Sequence, residues 1–363
     1  MGLSNIFSSI KKTAQDQSTT KDKVIGIDIG SSSIKIVELQ NRENVLTLTT
    51  YGELELGPYA DENPVGQAVV LPPNIERQAL VDILRESASK ARQAVFAMPL
   101  ASSFVTVMSM QATAEEDISP RVRVEARKYI PIPIGEVTLD WAEVDISTNE
   151  GATTRDVLLA AIQNDALARF KGLMDTVEFR NTPIEIECFS VIRSVCSADE
   201  ANCAIIDVGA TTTKLYIVRD GLLQRMYRVR AGGSLFTEKI AKEMSISFAE
   251  AEVKKRTVQQ SDEEFPSLLK LHQLTYERVF REFKQVISEY EKKLNVQVET
   301  IYVVGGGAQF EGFNGFASAL LEKNIQTPLP FNKVAYPAFM EDTMNTIGST
   351  FAVALGAAIR SFE

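Results

Sequence analysis

The sequence reads VIGIDIGSSSIK over residues 24–35 and CAIIDVGATTTK over residues 203–214. In both stretches an apolar run leads into Asp-x-Gly, small or hydroxyl-bearing residues follow, and a lysine stands seven positions after the aspartate. The apolar run predicts a buried strand, and the glycine with its small neighbours predicts a tight turn into a second strand. One such turn is a weak signal. Two matching copies in one chain predict a duplicated fold.

Both turns have the chemistry of a phosphate site. We call residues 30–33 the first turn and residues 209–212 the second turn. Successive backbone N–H groups at such turns form a nest for anions, and the hydroxyl side chains add donors. Lys35 supplies a cation for phosphate, and Asp28 and Asp207 can hold Mg²⁺ through water. Two such turns facing each other would hold a triphosphate from both sides.

Two further glycine clusters fit the same ligand. Residues 303–308 read VVGGGA after a buried strand, and backbone without side chains there can lie against a base and sugar. Gly232 and Gly233 precede a predicted helix whose N-terminus can offer N–H groups to phosphate or ribose. Taken alone, the first cluster is equally a flexible turn, and the second is equally a helix start with Ser234 as N-cap.

Composition excludes several other functions. The 363 residues are enough for two or three domains, and a net charge of -10 opposes binding to nucleic acid. Three cysteines without a CxxC pair read as reduced thiols. His272 is the only histidine, which excludes histidine triads, and we expect it on the surface. The sequence has no apolar run long enough to cross a membrane and no signal peptide.

An inserted block interrupts the first half of the predicted duplication. Residues 95–174 read as strand–helix–strand–strand–helix, opening with a strand pair at 95–110. The predicted units are a leader or linker at 1–22, a first unit at 23–94 plus 175–200, the inserted α+β subdomain at 95–174, a second unit at 201–230 plus 296–363, and a smaller unit at 231–295.

The order of these segments resembles the actin-like ATPase superfamily, whose fold is α/β, ribonuclease H-like and duplicated. The four units then correspond to subdomains 1A, 1C, 2A and 2B, because the inserted block resembles the 1C subdomain of FtsA. Within the superfamily the chain resembles the PilM family of type IV pilus proteins. That resemblance rests on IGIDIGSSSIK at 25–35, RKYIP at 127–131 and ECFS at 187–190.

The resemblance implies ATP and Mg²⁺ as cofactors and assigns roles by position. Asp28 and Asp207 would serve the metal, and Glu187 and Asp207 would be the catalytic residues, with Glu187 orienting water. The residues implied in cofactor binding are Asp28, Gly30, Ser31, Ser32, Ser33, Lys35, Gly209, Ala210, Thr211, Thr212, Gly232, Gly233, Glu252, Lys255, Gly305, Gly306 and Gly307. We expect at most a slow ATPase, because no strong general base is evident.

The resemblance also implies partners. A PilM-like protein would bind the N-terminal cytoplasmic tail of PilN beside the 1C-like subdomain. It would work with other pilus platform proteins in the cytoplasm, peripheral to the inner face of the inner membrane, with self-association left open. Two alternatives are an FtsA-like membrane-associated polymerising ATPase and a small-molecule kinase of the same fold.

Overall fold

Strands and helices follow one another through a computed structural model that describes residues 23–60, 63–113, 115–149, 152–177, 179, 182–197 and 200–363. The predicted leader at 1–22 lies outside the described residues. The strands are β1 Lys23–Ile29, β2 Ser33–Arg42, β3 Val45–Glu55, β4 Gln93–Met98, β5 Ser103–Gln111, β6 Val137–Asn149, β7 Ala152–Gln163, β8 Ile184–Ile186, β9 Asn202–Val208, β10 Thr213–Arg219, β11 Leu222–Val229, β12 Thr300–Val304 and β13 Asn324–Gln326. The helices are α1 Pro73–Glu86, α2 Ser119–Ala126, α3 Asn164–Met174, α4 Glu187–Val195, α5 Gly233–Met244, α6 Phe248–Thr257, α7 Phe265–Leu294, α8 Phe313–Leu321, α9 Glu341–Ile347 and α10 Ala352–Ile359.

The predicted duplication is confirmed by two sheets of the same design. The strand orders are β3-β2-β1-β4-β8 and β11-β10-β9-β12-β13. In each sheet the first three strands of the sequence form an antiparallel meander. The strands β4 and β12 pair in parallel with β1 and β9, and β8 and β13 then pair in parallel with β4 and β12. The central strands β1 and β9 are apolar nearly throughout because both of their faces are covered.

The inserted subdomain is a third sheet, with strand order β5-β7-β6. Its buried face packs on α2, around residues such as Met108, Val122 and Leu159. The predicted strand pair at 95–110 is wrong in one respect, because its first strand, β4, pairs with β1 and β8 in the first sheet. The block therefore begins after β4 rather than at 95. Every residue from Ala94 to Met98 is buried, as a strand covered on both faces requires.

The closing helix α10 packs on the first half of the molecule, not the second. Its contacts are with α4, β1, β2 and β4. Phe331, Val334 and Phe351 join the same apolar cluster, against Val37 and Leu39 of β2. The predicted second unit at 296–363 is therefore too long at its C-terminal end, because the chain crosses back to the first half after β13.

The second half buries one face of its longest helix. α7 has apolar residues at steps of three and four, and Tyr276, Phe280, Phe283 and Ile287 are buried against the second sheet. His272 lies on this face with no exposed surface, so its expected surface position is wrong. Burial lowers the pKa of His272 to about 3, which keeps the ring neutral among aromatic neighbours. Among the described residues, no helix combines the length and the apolar character needed to cross a bilayer.

Candidate functional site

The first and second turns face each other across a cleft between the two halves. The Ser31 and Thr211 hydroxyl oxygens lie 3.4 Å apart, although the residues are far separated in sequence. Each turn is closed by the same backbone hydrogen bond, from Gly30 N–H to Ser33 at 3.0 Å and from Gly209 N–H to Thr212 at 2.9 Å. The repeat found in the sequence is thus one local structure used twice, with the two tips in contact.

The cleft is a cavity of about 550 Å³. This volume lies in the ordinary range for small-molecule sites. Every predicted site residue except Gly232 lines it. Gly232 lies behind the second turn, where an added Cβ would be 2.5 Å from the carbonyl oxygens of Gly209 and Ala210.

The aspartate and the lysine of each repeat face each other across the hairpin. The register pairs Asp28 with Lys35 on β1 and β2, and Asp207 with Lys214 on β9 and β10. Burial raises the pKa of Asp28 to about 7, and the carboxylates of Glu187 and Asp207 add to that effect, whereas Lys35 and Lys214 oppose it. The two aspartates therefore form an acidic centre, and a bound cation would reduce the repulsion between their carboxylates.

Lys214 is the main site residue that the sequence analysis missed. Its Nζ donates to Glu187 Oε2 at 2.7 Å and to Asp207 Oδ2 at 3.0 Å, and all three side chains are buried. Burial alone would lower the pKa of Lys214, but the carboxylates of Asp207 and Glu187 outweigh it and raise the pKa. The signal was present in the sequence, since Lys214 matches Lys35 in the repeat.

Glu187 is held at both of its oxygens. It is the first residue of α4, and its Oε1 accepts the Leu100 N–H at 2.7 Å while Oε2 accepts from Lys214. Leu100 lies just beyond β4, so Glu187 links α4 to the end of β4 and, through Lys214, to β10. Lys35 is also paired, at 2.9 Å from Glu53 and 2.6 Å from the Ser33 hydroxyl.

The glycine cluster at 305–307 lies directly against the second turn. Gly305 has φ 90°, and a Cβ there would be 2.5 Å from the Val208 carbonyl oxygen and 2.8 Å from Asp207 Oδ1. Only glycine allows this approach without strain. The cluster thus forms a bare backbone wall beside Asp207.

Glu252 and Lys255, on α6, also line the cleft. Lys255 Nζ contacts Glu252 Oε2 at 2.5 Å and the Thr237 hydroxyl at 2.8 Å, and it is 3.4 Å from the Gly233 carbonyl. Burial lowers the pKa of Lys255, although the Glu252 carboxylate opposes this. Thr237 and Glu252 thus hold the Lys255 ammonium between α5 and α6, next to the glycine clusters.

Two contacts join the halves above the turns. Arg256 donates to Glu55 Oε1 at 3.1 Å, and the Ser234 hydroxyl donates to the Gly66 carbonyl at 3.2 Å. Neither pair was predicted, because each joins segments far apart in sequence without a motif. They bridge the cleft from one half of the molecule to the other.

Comparison with known proteins agrees with this architecture. A family model described as type IV pilus assembly protein PilM matches residues 26–362. A chain of a PilM–PilN type IV pilus biogenesis complex has a TM-score of 0.79 at 22% identity, covering 94% of this chain and 98% of that one. The ethanolamine utilization protein EutJ from Carboxydothermus hydrogenoformans gives 0.54 at 16% identity, covering 93% and 89%. MreB5 of Spiroplasma citri bound to ADP gives 0.53 at 12%, covering 94% and 96%.

Two sheets of one design, with a pair of matching turns facing each other across a cleft, give this chain the actin-like ATPase fold, and a three-stranded subdomain is inserted in its first half. The chain belongs to the PilM family of type IV pilus assembly proteins. The family match supports the pilus assembly function and neither of the two alternatives.

Proposed function

We propose that this chain is a nucleotide-binding assembly protein of the type IV pilus, holding ATP with Mg²⁺ between the first and second turns. The observation that carries the proposal is the contact of the two turn tips, at 3.4 Å between Ser31 and Thr211. Backbone N–H groups and hydroxyls then converge on one space from both sides, as an extended polyphosphate requires. The ADP-bound MreB5 of the same fold supports this assignment. Calorimetric titration of Mg²⁺·ATP into variants of both turns tests the assignment.

The donor set fits Mg²⁺. Asp28 and Asp207 supply carboxylate oxygens, which are the ligands this hard cation prefers. The raised pKa of Asp28 marks a place where added positive charge is favourable. Mg²⁺ would neutralise phosphate charge, and the residues of this chain would orient the nucleotide: the hydroxyls at the turns, the glycine wall at 305–307, and Lys255 beside Gly233.

We further propose that ATP hydrolysis is slow. A general base must be free to accept a proton. Both oxygens of Glu187 accept hydrogen bonds already, from Leu100 and Lys214, and Asp207 shares the same lysine. The arrangement therefore favours binding of the nucleotide rather than its rapid hydrolysis.

The partner that we propose is the N-terminal cytoplasmic tail of PilN, because the PilM–PilN complex shares this fold. A groove of about 440 Å³ lies between the inserted subdomain and the second half. The strands β5 and β11 that border it are edge strands, so their outer backbone groups can pair with an extended peptide. Apolar side chains in the groove are Val105, Val107, Leu158, Leu223, Met226 and Leu294. Binding there would place the protein at the cytoplasmic face of the inner membrane, through PilN and other platform proteins.

A charge placed in this groove should weaken the peptide complex. We expect Val107→Asp to reduce the affinity for a synthetic PilN tail about tenfold or more, because a carboxylate would be desolvated against apolar side chains. Calorimetry measures the change. Val124→Asp is the matched control, since Val124 is 59% exposed on α2 of the same subdomain. Equal affinities of the two variants would place the peptide elsewhere.

A further inference from the structure

Two thiols and a carboxylate converge where the chain passes from the first half to the second. Cys196 follows the last residue of α4, and Cys203 lies in β9. Their sulfur atoms are 3.3 Å apart. A carboxylate oxygen of Glu200 completes a group whose ligand atoms all lie within 4.8 Å of one another. Both thiols are buried.

The Glu200 carboxylate is held in place but not satisfied. Tyr302 on β12 hydrogen-bonds to it, and burial together with this bond raises the pKa of Tyr302 to about 12. The other oxygen, Oε2, is buried and has no hydrogen-bond partner among the residues that the structure describes. A buried carboxylate oxygen without a partner is costly unless something binds it. Here its neighbours are two thiols.

We propose that Cys196, Glu200 and Cys203 form a binding site for a thiophilic divalent cation, Zn²⁺, which ties the end of α4 to the start of β9. This site is separate from the nucleotide cleft, because none of the three residues lines that cleft.

The geometry suits a tetrahedral zinc ion. Zinc–sulfur bonds of about 2.3 Å at tetrahedral angles separate two sulfurs by about 3.8 Å, so a small outward shift from 3.3 Å is enough. Two thiolates and one carboxylate are ligands that select Zn²⁺ over Mg²⁺ or Ca²⁺. Water would complete the fourth position. A disulfide between the two cysteines would leave Glu200 Oε2 without a partner, so the carboxylate favours the metal.

Charge also balances at this site. Binding breaks two S–H bonds, releases two protons to solvent and forms two sulfur–zinc bonds. The complex of Zn²⁺ with two thiolates and one carboxylate then has one net negative charge. The Lys333 ammonium lies beside it, 2.5 Å from the Cys196 carbonyl oxygen and 2.6 Å from that of Arg193. This lysine supplies the remaining positive charge without competing for the metal.

The test is Zn²⁺ binding to the full chain after treatment with a chelator, measured by competition with a chromophoric chelator. We expect one zinc per chain with release of about two protons. Cobalt(II) in the same site should give thiolate-to-cobalt charge-transfer absorption. Cys203→Ala should abolish that absorption, and Glu200→Gln, which keeps the size of the side chain, should weaken zinc binding at least tenfold. Cys188→Ala is the matched control, since Cys188 is buried outside the group.

Three results would overturn the proposal. They are the absence of stoichiometric zinc binding, zinc affinity unchanged in both Glu200→Gln and Cys203→Ala, and a chain that under mild oxidation gains a disulfide between the two cysteines while never binding zinc. Glu200→Gln leaves both thiols in place, so this variant still tests the proposal if Cys203→Ala does not fold.

Discussion

Gly356→Ala should lower the free energy of unfolding by about 3 kcal/mol or more, because the added methyl group has no space. A Cβ at this position would lie 1.8 Å from the carbonyl oxygen of Ser190 and 2.5 Å from its carbonyl carbon. These are backbone atoms of α4, so no side chain can rotate away. The helices α4 and α10 would have to separate. Both helices are largely buried, and α10 also packs on the strands of the first sheet.

Denaturant unfolding of wild type and variant measures this loss. Gly315→Ala is the matched control, because Gly315 is also helical but an added Cβ there meets nothing within 4 Å. That control should gain up to about 1 kcal/mol from helix propensity. If Gly356→Ala is as stable as Gly315→Ala, the close packing of α10 on α4 is wrong. Since α4 begins with Glu187, a shift of this helix would also disturb the cleft.

Lys214→Met should lower the free energy of unfolding of the nucleotide-free protein by about 3–5 kcal/mol. The substitution keeps most of the side-chain volume but removes the cation shared by Glu187 and Asp207, at 2.7 and 3.0 Å. Two buried carboxylates are then left without a counter-charge. The pKa of Lys214 is raised above its ordinary value of 10.5, so the lysine is charged throughout the neutral range. Because Lys214 also lowers the pKa of Asp28, its removal should raise that pKa above about 7, and the loss of stability should grow as pH rises through the neutral range.

The equivalent lysine of the other repeat provides the control. Lys35 pairs with Glu53, which is 37% exposed, so water can solvate that carboxylate when the lysine is removed. At pH 6, where Asp28 with its pKa of about 7 is mostly protonated, Lys35→Met should therefore cost no more than about 1 kcal/mol in the same unfolding experiment. Equal losses in the two variants would show that Lys214 does not hold a buried carboxylate pair.

The local features of this fold could be predicted from the sequence because they repeat. Both turns need glycine followed by small residues, and the buried strand before each turn needs an apolar run. The same pattern therefore occurs at residues 24–35 and 203–214, and each copy supports the assignment of the other. The glycine cluster at 305–307 was found for a similar reason, since its backbone must approach Asp207. In each case the constraint acts within one short segment.

The features that were missed depend on contacts between distant segments. The strand β4 directly precedes β5 in the sequence, and only its pairing with β1 assigns it to the first sheet. The helix α10 follows the second half in sequence but packs on the first. His272 is polar, yet the aromatic rings of Phe236 and Phe310 enclose it. Arg256 reaches Glu55 across the cleft, and no local pattern marks either residue.

The most direct test of the twin-turn site is a calorimetric comparison of Mg²⁺·ATP binding by two charge-matched pairs of variants. Thr211→Asp and Thr211→Asn differ only in charge at the second turn, and Ser31→Asp and Ser31→Asn do so at the first. A carboxylate about 4 Å from a phosphate costs several kcal/mol at the effective dielectric of a protein surface. We therefore predict that each aspartate variant binds Mg²⁺·ATP at least about a hundredfold more weakly than its asparagine partner. A charge penalty at only one turn, or at neither, would contradict a phosphate site held between both.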